Sequence, residues 1–281
     1  MAVAGFLFRV SRPRFWIYVF GPYIIGLISA AGDRAALLRW PLLIFAFYFT
    51  FPANLLIYGV NDIFDYETDR RNSKKEDYEE LVEPAAHRKL LYFILVTNLP
   101  FITFALYYFS SSSAALFAFY FFSIFYSAPP IRAKAVPFLD SAFNVLYILP
   151  GVFSYRLVSG EYPPIGILVA AAAWTAAMHA YSAIPDIDAD RKAELQTVAT
   201  MLGSFGTHIF CFAMYAVSSA LSYRYLGWAA ICGGVIYILM ILVSLRLAKD
   251  GSSFSVYRSF PYINSVCGFV LFWYIALPKL F

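Results

Sequence analysis

The chain has 281 residues, is 61% hydrophobic and 20% aromatic, and carries only 14% charged residues with a formal net charge of +4. A soluble domain is typically about 45–50% apolar and about 25% charged, so one aqueous globule is excluded and an integral membrane protein is expected. Cys211, Cys232 and Cys267 are odd in number, widely spaced and each set inside an apolar run. That pattern argues against structural disulfides and a cysteine metal cluster. A lipid bilayer is the expected surrounding, and nucleic acid is not an expected partner.

In chain order, apolar stretches fall at 15–31, 41–60, 89–109, 114–130, 138–158, 164–185, 203–222, 226–245 and 259–279. Each is near the ~20 residues that a membrane helix needs. The runs are continuously apolar rather than alternating, which favours helices over barrel strands. The expected fold is therefore all-α, a polytopic bundle of about nine transmembrane helices. Pro22, Pro52, Pro100 and Pro150 lie inside runs, which membrane helices tolerate when neighbours satisfy the freed backbone groups. The N-terminal run, with its basic flank and small residues at 28–32, has some features of a signal peptide. Gly21-Pro22 inside it favours a retained helix.

With nine spans, sixteen of the 21 basic residues fall on the side that holds the N-terminus. By the positive-inside rule that side is cytoplasmic, which places the chain in the cytoplasmic membrane as a multi-pass protein. Fifteen of the 17 acids lie there too, all but Asp33 and Glu161. Acids contribute little to topology, so this second asymmetry needs a chemical cause.

The acids concentrate in two segments, NDIFDYETDRR (61–71) and AYSAIPDIDADRKAE (180–194). Asp65, Asp69 and Arg70 share the pattern D-x-x-x-D-R with Asp186, Asp190 and Arg191, at an offset of 121 residues. The fifth apolar stretch trails the first by a similar amount. A single domain over 1–281, made of two four-helix pseudo-repeats plus a ninth helix, would explain this. On a helix, residues four apart are neighbours. Asn61, Asp65 and Asp69 then form one stripe, with Asp62 close enough to count as a further candidate metal ligand, while Asp188 points away from Asp186. Two carboxylates ~6 Å apart repel by roughly 3 kcal/mol at an effective dielectric of 20. A hard divalent cation resolves that conflict, and Mg2+ commonly bridges carboxylates to phosphates. The implied ligand is a diphosphate held through Mg2+, with Mn2+ a possible substitute. The stretch EDYEELVE (76–83) reads instead as solvated surface.

A diphosphate also needs cations. Lys134 and Arg132, in the Pro-rich segment YSAPPIRAK (126–134), and Arg14 are the first candidates, followed by Arg70 and Arg71. Arginine suits bidentate phosphate contacts, and lysine acts as a point charge. A divalent-cation or anion transporter is the rival class, although transporter sites usually lie near the bilayer midplane and these acids cluster at one face.

N-D-x-x-D-x-x-x-D in one loop and D-x-x-x-D in another, on about nine helices, resemble the UbiA superfamily of intramembrane prenyltransferases over essentially the whole chain. The resemblance implies a bundle around a central cavity, Mg2+ ions, a prenyl diphosphate donor and a lipophilic acceptor. It implies that Asn61, Asp65 and Asp69 form the first metal motif and Asp186 and Asp190 the second, these four aspartates being catalytic. YSAPPIRAK resembles the family's Tyr-containing basic loop. The segments at 11–22, 61–76 and 180–191 look like the carotenoid branch, the lycopene elongases, with a departure at Ser73. A carotenoid acceptor is therefore expected, with a quinone precursor or chlorophyllide as alternatives. Departure of the diphosphate would leave an allylic cation, which aromatic faces stabilise. Trp16, Tyr58, Tyr126 and Tyr181 are the candidates for lining that pocket.

Overall fold

The computed structural model describes residues 3–70, 80–248 and 254–280, without the side chains of Thr68, Asp69, Ser110, Phe254, Ser255 and Leu280. Among these residues the regular structure is helical throughout. The helices are α1 (Val3–Val10), α2 (Ile17–Ala30), α3 (Trp40–Thr50), α4 (Pro52–Asp69), α5 (Pro84–Tyr108), α6 (Ser110–Ser127), α7 (Leu149–Ser159), α8 (Ile165–Ala183), α9 (Ile187–Lys192), α10 (Val198–Leu226), α11 (Trp228–Ala248) and α12 (Phe254–Leu280). Short helical turns connect several of them, including Leu139–Ala142.

Among the described residues, seven helices are long and apolar enough to cross a membrane. The expected first stretch forms the 14-residue α2, and the fourth forms the 18-residue α6. Against the nine expected spans, the described residues thus hold seven of full membrane length and hydropathy. Large apolar side chains stand exposed along the outer helices, such as Leu91, Leu95 and Leu99 on α5 and Val266, Phe269 and Val270 on α12. Such a surface is unstable in water and natural against lipid tails. The protein is an integral membrane protein.

The chain divides into two compact units. The first comprises essentially Met1–Arg132 and Leu146–Tyr162. Its core is aromatic: Phe45, Tyr48, Phe49, Phe119 and Phe153 are all fully buried, with Phe45 and Phe153 4.5 Å apart edge to face. Glycine brings α2 and α7 together. A β-carbon on Gly26 would collide with the Gly151 carbonyl, and one on Gly151 would lie 2.7 Å from the Pro22 carbonyl oxygen. Ser154 then donates across this approach to the Tyr23 carbonyl at 2.7 Å. Small residues that admit close backbone contact are the usual adhesive between membrane helices.

The second unit comprises essentially Ala133–Val145 and Pro163–Lys279. A small-residue stripe on α8, Ala170, Ala173, Ala177 and Ala180, is buried and admits α10. Thr197 caps α10 through a reciprocal pair with Thr200, satisfying two otherwise orphaned donors. Gly203, at φ 66°, then kinks α10 near its start, a conformation open to glycine at little cost. The helix begins at Val198, earlier than the apolar run suggests, because its first turn is fixed by these caps.

Candidate active site

The first acidic segment occupies the C-terminal end of α4, whose helical geometry runs to Asp69. Asn61 donates to Asp65 Oδ2 at 2.6 Å, the i to i+4 contact a helix permits. The same amide donates to Ser127 Oγ at 3.0 Å, tying α4 to the end of α6. Asp65 is buried, and Arg132 Nη2 lies 4.0 Å from its Oδ1. Asp62 faces a different partner: Arg12 Nη2 donates to its Oδ1 at 2.7 Å, with the carboxylate 2% exposed. One residue of offset turns a helical side chain by about 100°, which separates Asp62 from the Asn61–Asp65 pair. The Asp69 side chain and Arg71 lie outside the described residues.

Arg12 also stacks on the Tyr58 ring at 4.7 Å, and Tyr58 is hydrogen-bonded to Tyr147. The two arginines that reach this carboxylate cluster both have left-handed backbones, with φ of 50° at Arg12 and 44° at Arg132. A non-glycine residue held there costs energy and is characteristic of functional sites. Sequence reasoning counted Arg12 among the basic residues of the N-terminal side and within the segment 11–22, and gave it no partner. Its position in SRPRFW was the available signal, but the pairing with Asp62 spans fifty residues.

The other expected cations have distinct surroundings. Arg14 is exposed and lies 4.6 Å over Phe15. Arg70 pairs with Glu67 at 3.0 Å on the surface. Lys134 is half-buried in the turn Ala133–Ala135 of the second unit. Trp16 donates its indole N–H to the Ser11 carbonyl at 3.0 Å and packs edge-on to Phe8 and Phe51. Tyr126 is half-buried, one residue before the Ser127 that holds Asn61.

The second acidic segment is built differently. α8 ends at Ala183, a tight turn spans Ile184–Asp186, and α9 carries Asp190. Asp186 and Asp190 are half-buried and Asp188 is exposed. Arg191 points away, donating to the Thr200 carbonyl at 3.1 Å. Tyr181 is buried among helices of its own unit, donating to Ser244 at 3.1 Å and meeting Phe260 edge to face. Of the stretch read as solvated surface, the part before Glu80 lies outside the described residues. The rest is tied down by Arg9–Glu80 at 2.6 Å and Tyr66–Glu83 at 2.9 Å, with Val82 buried.

Among the described residues, no group of three or more His, Cys, Asp or Glu side chains is arranged to hold a metal ion alone. The first cluster instead offers oxygen donors from Asn61 and Asp65, with arginine beside them. That donor set suits Mg2+, which binds through one or two carboxylates and completes its shell with water and substrate phosphate.

Fold and site define a polytopic helical membrane protein with a carboxylate–arginine centre at a helix end. Residues 19–276 match the model of the UbiA prenyltransferase family. The chain is 41% identical to the lycopene elongase/hydratase of Haloarcula japonica, over 97% of this chain and 91% of that protein. It is 37% identical to the lycopene elongase/hydratase of Haloferax volcanii, over 95% and 87% respectively. Its fold resembles the solved structure of a UbiA homolog from Archaeoglobus fulgidus bound to GPP and Mg2+, with a TM-score of 0.70, 19% identity and coverage of 96% and 99%. The chain belongs to the UbiA prenyltransferase family and is a prenyltransferase. The transporter alternative falls with that membership.

Proposed function

We propose that the protein transfers a five-carbon prenyl group from dimethylallyl diphosphate to lycopene or a close carotenoid relative, with Mg2+ as its metal and Mn2+ as a substitute. Near-full-length likeness to two proteins named lycopene elongase/hydratase carries this reading. UbiA homologs of the same fold have been solved with GPP and Mg2+ and with DMAPP and Mg2+, which supports the donor and the metal.

In this reading Asn61, Asp65 and Asp69 would hold metal at the first segment, and Asp186 and Asp190 would do so at the second. Asp62, beside the first motif, anchors Arg12. Bound Mg2+ supplies Lewis-acid stabilisation of the departing diphosphate. Arg132, at the Asp65 carboxylate, and Lys134 orient that group, with Arg14, Arg70 and Arg71 contributing charge at the mouth. The aromatic faces of Tyr58 and Tyr126 lie near this cluster and shield the allylic cation from water. The acceptor's terminal double bond then attacks. The active-site opening and the N-terminus face the cytoplasm, as the basic-residue count favours. The chain forms one domain of duplicated origin, since the two D-x-x-x-D-R segments repeat.

The test is expression in a lycopene-making bacterium, followed by mass analysis of the pigments. Products heavier than lycopene by one or two five-carbon units are expected. Prenylated 4-hydroxybenzoate with lycopene unchanged would leave the family intact and overturn the carotenoid acceptor.

A further inference from the structure

The second unit holds a buried carboxylate that neither acidic motif includes. Asp140, in the turn Leu139–Ala142, is completely buried. Its Oδ2 accepts from the Val198 backbone N–H at 2.9 Å and lies 3.6 Å from His179 Nε2. Its Oδ1 meets no hydrogen-bond donor among the described residues. Part of this arrangement is structural, because an anion at the start of α10 satisfies an orphaned donor and complements the helix dipole. That role uses one oxygen and does not require a histidine. An ionisable side chain within a membrane segment is costly and usually marks function.

His179 sits on α8, seven residues before Asp186. α8 ends at Ala183 and Asp186 follows in the turn Ile184–Asp186, so His179 lies in the last turn of the helix that leads into the second acidic segment. The imidazole side chain keeps 17% of its exposure while the carboxylate behind it keeps none. An outward imidazole with a buried acid at its back is the arrangement by which proteins orient a general base and stabilise its protonated form.

We propose that His179, positioned by Asp140, accepts the proton released when the acceptor cation is quenched. The inference rests on the prenyl transfer proposed above. The donor's C–O bond breaks and its electron pair leaves with the diphosphate. The acceptor's terminal C=C pair forms the new C–C bond, which leaves a tertiary cation on the acceptor. Neutral imidazole then takes a proton from the adjacent carbon, whose C–H pair becomes a new C=C bond. Alternatively, a water oxygen bonds to the cation and imidazole takes the water proton, leaving a tertiary alcohol. Either route produces imidazolium, which the Asp140 carboxylate stabilises and which returns its proton to solvent.

The test uses the full-length protein in detergent with lycopene and dimethylallyl diphosphate, reading turnover, donor KM, the alkene-to-alcohol ratio and melting temperature. His179→Gln is expected to lower turnover about 100-fold or more, with donor KM within about twofold and the ratio in the residual product altered. Asp140→Asn retains an oxygen for the Val198 N–H. It should lower turnover about tenfold or more without a fall in melting temperature. His179→Ala should regain turnover when imidazole is added, which an unfolded variant would not do. Wild-type turnover and product ratio in His179→Gln would overturn the proposal. So would a His179→Ala variant with wild-type melting temperature that imidazole does not rescue. Elongated product from the wild type in those experiments would confine the failure to His179. Its absence from the wild type would overturn the transfer reading as well.

Discussion

The two acidic segments share a sequence pattern and differ in how the protein holds them. On α4 Asp65 and Asp62 are buried beside cationic or amide partners: Asp65 beside Asn61 and Arg132, Asp62 beside Arg12. Near α9 Asp186 and Asp190 are half-buried, Asp186 closes a tight turn, and the adjacent Arg191 is engaged elsewhere. A buried carboxylate without a partner is costly, so the first segment must carry its own cations, whereas solvent can carry part of the burden at the second. Pattern similarity therefore does not imply equal preorganisation.

The largest expected effect tests what the two segments have in common. Chelation with EDTA should abolish turnover, and Mg2+ or Mn2+ should restore it, because leaving group and carboxylates are all anionic. Full activity in EDTA would remove the chemical reason for either segment. Next in size, Asp65→Ala, Asp69→Ala, Asp186→Ala and Asp190→Ala should each lower turnover at least ~100-fold through lost electrostatic stabilisation. Wild-type turnover in Asp65→Ala would show that only the second segment matters.

A third effect separates the segments. Arg12→Ala leaves Asp62 buried without its arginine, at a cost of about 3–5 kcal/mol for a buried pair broken on one side. A marked drop in melting temperature is expected, and Arg12→Ala combined with Asp62→Asn should recover most of it. Arg191→Ala should leave melting temperature nearly unchanged. Equal losses in the two single variants would erase the distinction drawn here.

Much of this was legible in the sequence, for local reasons. Apolar run length marks membrane helices because the bilayer sets their length. The contact between Asn61 and Asp65 follows from helical spacing alone. The exact ends of the helices were not legible, because an apolar run does not reveal where its helical caps fall. The break after Ala183 was hidden for the same reason. The Arg12–Asp62 pair joins residues from separate elements, and no local periodicity records it. Asp140 and His179 belong to no motif, since one comes from a loop-borne turn and the other from the last turn of α8, and only tertiary packing brings them together.

The smallest expected effect is at Glu80. Its carboxylate accepts from Arg9 Nε at 2.6 Å, the shorter of the two arginine contacts, yet Arg9 keeps 43% of its side-chain exposure. The hydrogen bond to Glu80 raises the Arg9 pKa above its ordinary value, so the guanidinium stays charged near neutrality. Water and salt nonetheless screen an exposed pair, and most such pairs contribute little. Glu80→Ala should therefore leave turnover and melting temperature at wild-type values, in low salt as in high. The comparison with Arg12→Ala holds the ion-pair chemistry constant and changes only depth. If Glu80→Ala destabilised the protein as much as Arg12→Ala, burial would not be what distinguishes these contacts, and the contrast between the two acidic segments would lose its physical basis.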